Sequence, residues 1–193
     1  MIRMAVEADV PAMLAVYAPY IEETTYSFEY TVPSEEEFLT RFRRVTERFP
    51  WLVWEENGAV LGYAYGSLPF ERAAYAWSGE VSIYLAPEAQ GRGVGRKLYT
   101  VLEAIMACQG YRNLYAIITE ENTGSVAFHT ALGYRKVGVF TRCGLKFGRW
   151  LDVIWMEKHM DSVEIPSEKP SCYKGFVESD RNIIDILDKM SLS

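Results

Sequence analysis

Apolar positions recur along this chain with two alternating periods. Val81, Ile83 and Leu85 fall on every second position, as a strand requires, and Pro87 ends the run. Val94, Leu98, Val101, Leu102 and Ile105 then recur at helical spacing, with Gly110 as the stop. Upstream, Pro11 to Ile21 reads as a helix capped at Asp9. Ser34 before Glu35, Glu36 and Glu37 predicts a capping-box entry to a second helix reaching about Phe49. An aromatic loop, Tyr26-Ser27-Phe28-Glu29-Tyr30, lies between the two. Trp51 to Glu55 and Val60 to Tyr65 predict strands joined around Asn57-Gly58, a strong hairpin signal. Further on come a strand from Asn113 to Thr119, a helix opening at Asn122, a strand from Arg135 to Phe140 and a last strand from Trp150 to Glu157. This order predicts an α/β domain, a mixed sheet with helices on both faces.

Composition narrows the function classes. The 193 residues, 49% hydrophobic and 24% charged, suit one globular domain with a substantial core. A net charge of −6 argues against nucleic acid as a partner, because phosphate contacts need a basic surface. No apolar run approaches the roughly 20 residues of a membrane span, and no signal-peptide pattern opens the chain, so the expected location is cytoplasmic. Cys108, Cys143 and Cys172 are odd in number and far apart, which suggests neither a disulfide framework nor a metal site. Cys108, late in an amphipathic helix, reads as a small buried hydrophobe. Residues 1–160 form the expected domain and 161–193 an extension. The extension has a linker-like stretch from Ser162 to Gly175 and a possible short helix carrying Ile183, Ile184, Leu187 and Met190.

The densest chemical signal is the run from Pro87 to Leu98, a glycine-rich turn between a strand and a helix. Gly91, Gly93 and Gly95 let backbone approach a ligand, and the new helix offers unpaired N–H groups at the positive end of its dipole. A pyrophosphate fits such a seat. The dinucleotide fingerprint fails, since Arg96 stands where its third glycine belongs, and the Gly-Lys-Ser/Thr of a phosphate loop is absent. Gln90-x-x-Gly93-x-Gly95 instead resembles the acyl-coenzyme A signature of the GNAT N-acetyltransferases. Asn122 through Tyr134, with Leu132-Gly133-Tyr134 at its end, resembles the Asn…Leu-Gly-aromatic helix of the same superfamily. Each stretch also has a plain structural reading, as a glycine turn and as a capped short helix. Tyr75-Ala76-Trp77, Phe49-Pro50-Trp51-Leu52-Val53 and Gly144 to Val153 are similar to the phosphinothricin N-acetyltransferase group.

The resemblance, covering about residues 1–160, implies a GNAT-like α/β fold: a mixed, mostly antiparallel central sheet flanked by helices, with a splayed strand pair holding acetyl-CoA. It implies acetyl-CoA contacts from Ile83, Tyr84, Leu85, Gln90, Gly91, Arg92, Gly93, Val94, Gly95, Arg96, Asn122 and Ser125. Glu80 matches the acidic residue proposed as base. A free carboxylate is a poor base for an ammonium, so burial or a water relay has to narrow the gap. His129 stands where many relatives have a tyrosine acid, and either donates a proton to the leaving thiol or contacts substrate. Phe28, Arg72 and Tyr75 are the expected acceptor wall, Arg72 offering a planar fork for a carboxylate or phosphinate. The reading is an acetyl-CoA-dependent N-acetyltransferase of small amino-acid-like acceptors, without a metal and expected as a homodimer. The alternatives are acetylation of a protein N-terminus or another small amine, and a non-catalytic acyl-CoA sensor.

Overall fold

The computed structural model describes residues 1–160 and 165–173. In chain order the elements are β1 (Ile2–Met4), α1 (Val10–Glu22), α2 (Glu35–Thr46), β2 (Trp51–Glu56), β3 (Ala59–Ser67), β4 (Ser78–Leu85), α3 (Val94–Gln109), β5 (Asn113–Thr119), α4 (Thr123–Ala131), β6 (Arg135–Lys146) and β7 (Arg149–His159). The strands form one sheet in the order β1-β2-β3-β4-β5-β7-β6. Every pairing is antiparallel except β4 with β5.

Alternation along the strands divides the core into two layers. Trp51, Val53, Tyr63 and Tyr84 face α1 and α2, where they meet Met13, Tyr17, Phe38 and Phe42. Leu52, Ala64, Val81, Leu114, Ala116 and Ile118 face the other way, onto Leu98, Leu102, Ile105 and Met106 of α3. Each of the larger aliphatic and aromatic side chains among them contributes roughly 1.5–3 kcal/mol by leaving water, the alanines less. The first layer is mostly aromatic: Trp51 stacks on Tyr65 at 4.1 Å, and Phe38 meets Trp51 edge-on at 5.9 Å.

Several local expectations hold for the reasons anticipated. Asn57 and Gly58 both take positive φ, 53° and 80°, as a tight hairpin turn demands. The Ser34 hydroxyl accepts from Glu37 N at 3.2 Å, while the Glu37 carboxylate accepts from Ser34 N at 2.8 Å, completing the box. Others are corrected. Asp9 does not cap α1 with its side chain; its carboxylate accepts from Val6 N at 2.8 Å and from both Arg3 Nη atoms at 2.7 Å. The second helix stops at Thr46, short of Phe49, because Pro50 disfavours helical geometry in the residue before it. Cys108 is exposed, as are Cys143 and Cys172. Two features were not anticipated: β1, and the run of β6 from Phe140 on to Lys146.

The described part of the extension lies on the domain. Trp77 Nε1 donates to Glu168 O at 3.1 Å, Ser171 N donates to Gln109 O at 2.9 Å, and Tyr173 is buried. The helix expected around Ile183 to Met190 lies outside the described residues. Among the described residues no helix is long and apolar enough to cross a membrane.

Candidate active site at the fork of two central strands

β4 and β5 pair only from Ser78 to Glu80 against Asn113 to Tyr115, although β4 continues to Leu85 and β5 to Thr119. Beyond that point the strands separate, leaving the facing edge of β4 without a strand partner. An inner gap of about 70 Å³ opens between them, bordered by Ile83, Tyr84, Tyr99, Asn122, Ser125 and His129. It lies beside an outer cleft of about 510 Å³, within the range of ligand pockets. Ile83, Leu85, Gln90, Gly91, Gly93, Val94, Gly95, Arg96, Asn122 and Ser125, all named from the sequence, line that cleft.

The α3 end of the cleft is built for an anion. Gly93 caps the helix at φ 78° with no side-chain cap, so the first-turn amides keep their donors available. Arg96 is exposed in the cleft wall, where its cation adds to the helix dipole. Arg92 is not part of this wall: its guanidinium pairs with Glu56 at 2.9 Å and bonds Glu88 O at 3.0 Å. Asn122 uses its side-chain oxygen to cap α4, accepting from Ser125 N at 3.1 Å.

Glu80 stands at the vertex of the fork, in the last paired rung, opposite Tyr115 on one side and Ser67 on the other. Its side chain shares a face with Ser82 and Tyr84, away from Val81. Burial alone pushes its carboxyl up to about 7. His129 is 2% exposed and fully engaged. Its Nδ1 is 2.8 Å from Ser125 O, a carbonyl that can only accept, so the ring proton resides on Nδ1; Nε2 then accepts from Tyr99 Oη at 3.0 Å. Burial lowers the imidazole pKa and favours this neutral form.

The aromatic loop between α1 and α2 covers the same side of the sheet as Glu80. Phe28 lies on β6 where Gly144 leaves room: a Cβ there would come within 2.1 Å of the ring. Buried Lys146 donates to Ile21 O at 2.7 Å and Ser27 O at 2.6 Å, and Thr119 Oγ1 donates to Thr25 O at 2.8 Å. Arg72 and Tyr75 sit apart from both cavities, exposed at a short turn whose Tyr75 ring contacts Phe70 at 4.6 Å.

The comparisons with known proteins agree with this geometry. Residues 2–155 match the model of the acetyltransferase (GNAT) domain. The chain belongs to the GNAT acetyltransferase family. This acetyltransferase is 38% identical over 165 residues to a phosphinothricin N-acetyltransferase of Alcaligenes faecalis, covering 83% of each chain. It is 32% identical to an L-methionine sulfoximine/L-methionine sulfone acetyltransferase of Salmonella typhimurium, covering 86% of this chain and 97% of the relative. The crystal structure of a GNAT superfamily phosphinothricin acetyltransferase from Sinorhizobium meliloti in complex with AcCoA superimposes with a TM-score of 0.81 at 36% identity, covering 89% of this chain and 92% of that one. This enzyme is therefore an N-acetyltransferase that uses acetyl-CoA. The cleft has the parts that an elongated anionic thioester needs: open amides and a cation at one end, a free strand edge at the other. Among the described residues no group of three or more His, Cys, Asp and Glu could hold a metal ion.

Sequence reasoning missed three residues of this region. Tyr20 and Tyr26 line both the cleft and the gap, and Lys146 pins the loop above them. Tyr20 looks like one more apolar position of α1, and Lys146 like an ordinary strand lysine; only the tertiary contacts separate them from their neighbours.

Gly93→Ala tests the anion seat. A Cβ at Gly93 meets no protein atom within 4 Å, so the variant should fold, losing roughly 1–2 kcal/mol to left-handed strain. Desulfo-CoA affinity by calorimetry should fall at least tenfold, because realigned amides no longer converge on the pyrophosphate. Unchanged affinity would reduce this glycine to a turn former.

Proposed function

We propose that this enzyme acetylates the α-amino group of a small, anionic amino-acid-like acceptor of the phosphinothricin or methionine sulfoximine/sulfone type, by direct transfer within a ternary complex. The observation that carries the mechanism is Glu80, a carboxyl raised to about 7 at the vertex of the fork. The names of the relatives at 38% and 32% identity support the acceptor class.

Only the free amine attacks a thioester. Glu80 takes the ammonium proton, directly or through one water, and burial makes it a stronger base than a solvated glutamate. As the carbonyl becomes tetrahedral its oxygen needs a donor already in place. The N–H of Ile83, on the β4 edge that borders the gap, is the candidate. The coenzyme supplies the activated acetyl group and departs as a stable thiolate. His129, neutral and bonded at both nitrogens, offers that thiolate no ready proton. Its role here is to hold α4 against Tyr99; the second amine proton, acidic once the nitrogen has attacked, passes through water to the departing thiolate. The resemblance to the phosphinothricin acetyltransferases assigns Arg72 to the acceptor's acidic group and Phe28 and Tyr75 to its aliphatic part, although none of the three lines either cavity.

A homodimer is also proposed. Phe140, Leu145, Phe147 and Trp150, on β6, β7 and the turn between them, are 46–62% exposed, an apolar surface that a second copy would cover.

An acetyl-transfer screen across amino acids, their sulfoximine, sulfone and phosphinate analogues and short peptides tests the substrate reading; turnover on peptides alone would overturn it. Glu80→Gln should lower kcat by roughly 10²–10⁴-fold at neutral pH, with partial recovery at high pH as free amine becomes available. His129→Ala should leave the acid limb of kcat/KM in place. Stability gives an independent check. A carboxyl raised from 4.5 to about 7 on folding stabilises the protein least when ionised. Glu80→Gln should therefore exceed wild type in stability at pH 8, by on the order of 2 kcal/mol, with the gain shrinking as pH falls through 7 toward 4.5. Arg72→Ala should raise the acceptor KM at least tenfold with coenzyme affinity unchanged; wild-type kinetics would remove Arg72 from the site. In analytical ultracentrifugation, wild type should sediment as a dimer and Trp150→Glu as a monomer.

A further inference from the structure

The free edge of β4 is not left bare. Ala86 N donates to Leu61 O at 2.9 Å, which directs that peptide toward β3. By alternation the N–H and C=O of Leu85 point the other way, toward the side from which β5 has diverged. A single hydroxyl occupies both groups. Tyr20 Oη donates to Leu85 O at 2.7 Å and accepts from Leu85 N at 3.3 Å. Gln90 Nε2 reaches the same two acceptors, Tyr20 Oη and Leu85 O, each at 3.2 Å. Tyr20 thus presents one donor and one acceptor to a strand edge, as the backbone of a neighbouring strand does.

Tyr20 holds that position from the border of both cavities. It sits near the C-terminal end of α1, its ring edge-on to Tyr84 at 5.2 Å, and it lines both the outer cleft and the inner gap. Burial raises its pKa, so the hydroxyl stays protonated and can donate at neutral pH. The pantetheine arm of acetyl-CoA carries two amides, each with one donor and one acceptor. An arm lying along the free edge of β4 would seek the Leu85 peptide groups that Tyr20 holds.

We propose that Tyr20 is a placeholder for the pantetheine arm. In the coenzyme-free enzyme its hydroxyl satisfies the Leu85 peptide and keeps the end of β4 extended; on binding, an amide of the arm replaces it. The long 3.3 Å bond on the N–H side suits exchange, since it is the weaker of the two. Tyr20 is a positioning residue, and its hydroxyl lowers coenzyme affinity by competing for the edge.

The inference rests on the coenzyme seat, and titrations of wild type and Tyr20→Phe with desulfo-CoA and with adenosine 3′,5′-bisphosphate, which lacks the arm, test both. Tyr20→Phe keeps the ring packing and should bind desulfo-CoA about three- to tenfold more tightly, the equivalent of one modest hydrogen bond. Its affinity for the bisphosphate should match wild type. In the ligand-free variant the Leu85 amide should exchange with solvent faster, and desulfo-CoA should restore its protection. Equal or weaker binding of desulfo-CoA by Tyr20→Phe overturns the placeholder, weaker binding making Tyr20 a direct ligand of the coenzyme. Failure of wild type to bind desulfo-CoA overturns the coenzyme seat and the placeholder together.

Discussion

The short parallel pairing of β4 with β5 is the constraint on which the site depends. A sheet normally satisfies its backbone by carrying each ladder to the strand ends. Here the ladder stops at Glu80 and Tyr115, while both strands run on, tied to β3 and β7 by their outer edges. Divergence leaves peptide groups that need partners and a space that can admit them. The two core layers hold the fork open: aromatic side chains under α1 and α2 fix one strand face, and α3 fixes the other. Glu80 stands where pairing ends, and the open amides of α3 begin where β4 gives way to that helix. One geometric departure therefore sets the spacing between the Glu80 carboxyl and the glycine turn before α3.

Much of this was legible in the sequence, because local chemistry and tertiary demand coincide there. Asn57-Gly58 can take positive φ and does; Ser34 and Glu37 close their box; the glycines around Gly93 form the turn. Ten of the residues named from the sequence line the outer cleft, since its walls are nearly contiguous in sequence and its chemistry is backbone chemistry. Arg92 shows the limit, because its motif position did not reveal that Glu56, on the β2–β3 hairpin, holds its side chain.

The illegible features are those set by distant partners. β1 has three residues and exists because Ile2, Arg3 and Met4 pair with Trp54, Val53 and Leu52. Asp9 looked like a helix cap, but Arg3 offers it a charged pair of donors. Thr141, Arg142 and Cys143 break the alternation after Phe140, yet pairing with β7 resumes at Gly144. Lys146 sits at a buried position because two loop carbonyls, of Ile21 and Ser27, converge on its ammonium.

That interruption in β6 also bears on how the molecule meets its own copies. β6 is the outermost strand, twelve residues long, and a continuous strand of that length would offer a template for unlimited edge-to-edge growth. The register shifts between Phe140 and Gly144, Arg142 takes φ 50°, and its N–H is held by Asp152 Oδ1 at 2.7 Å. The bulge divides the edge into two shorter segments, which makes it a poorer template for a long flat ladder. At the opposite border, β1 gives an intruding strand only three residues to grip. Both margins of the sheet are thereby guarded against strand-to-strand polymerisation.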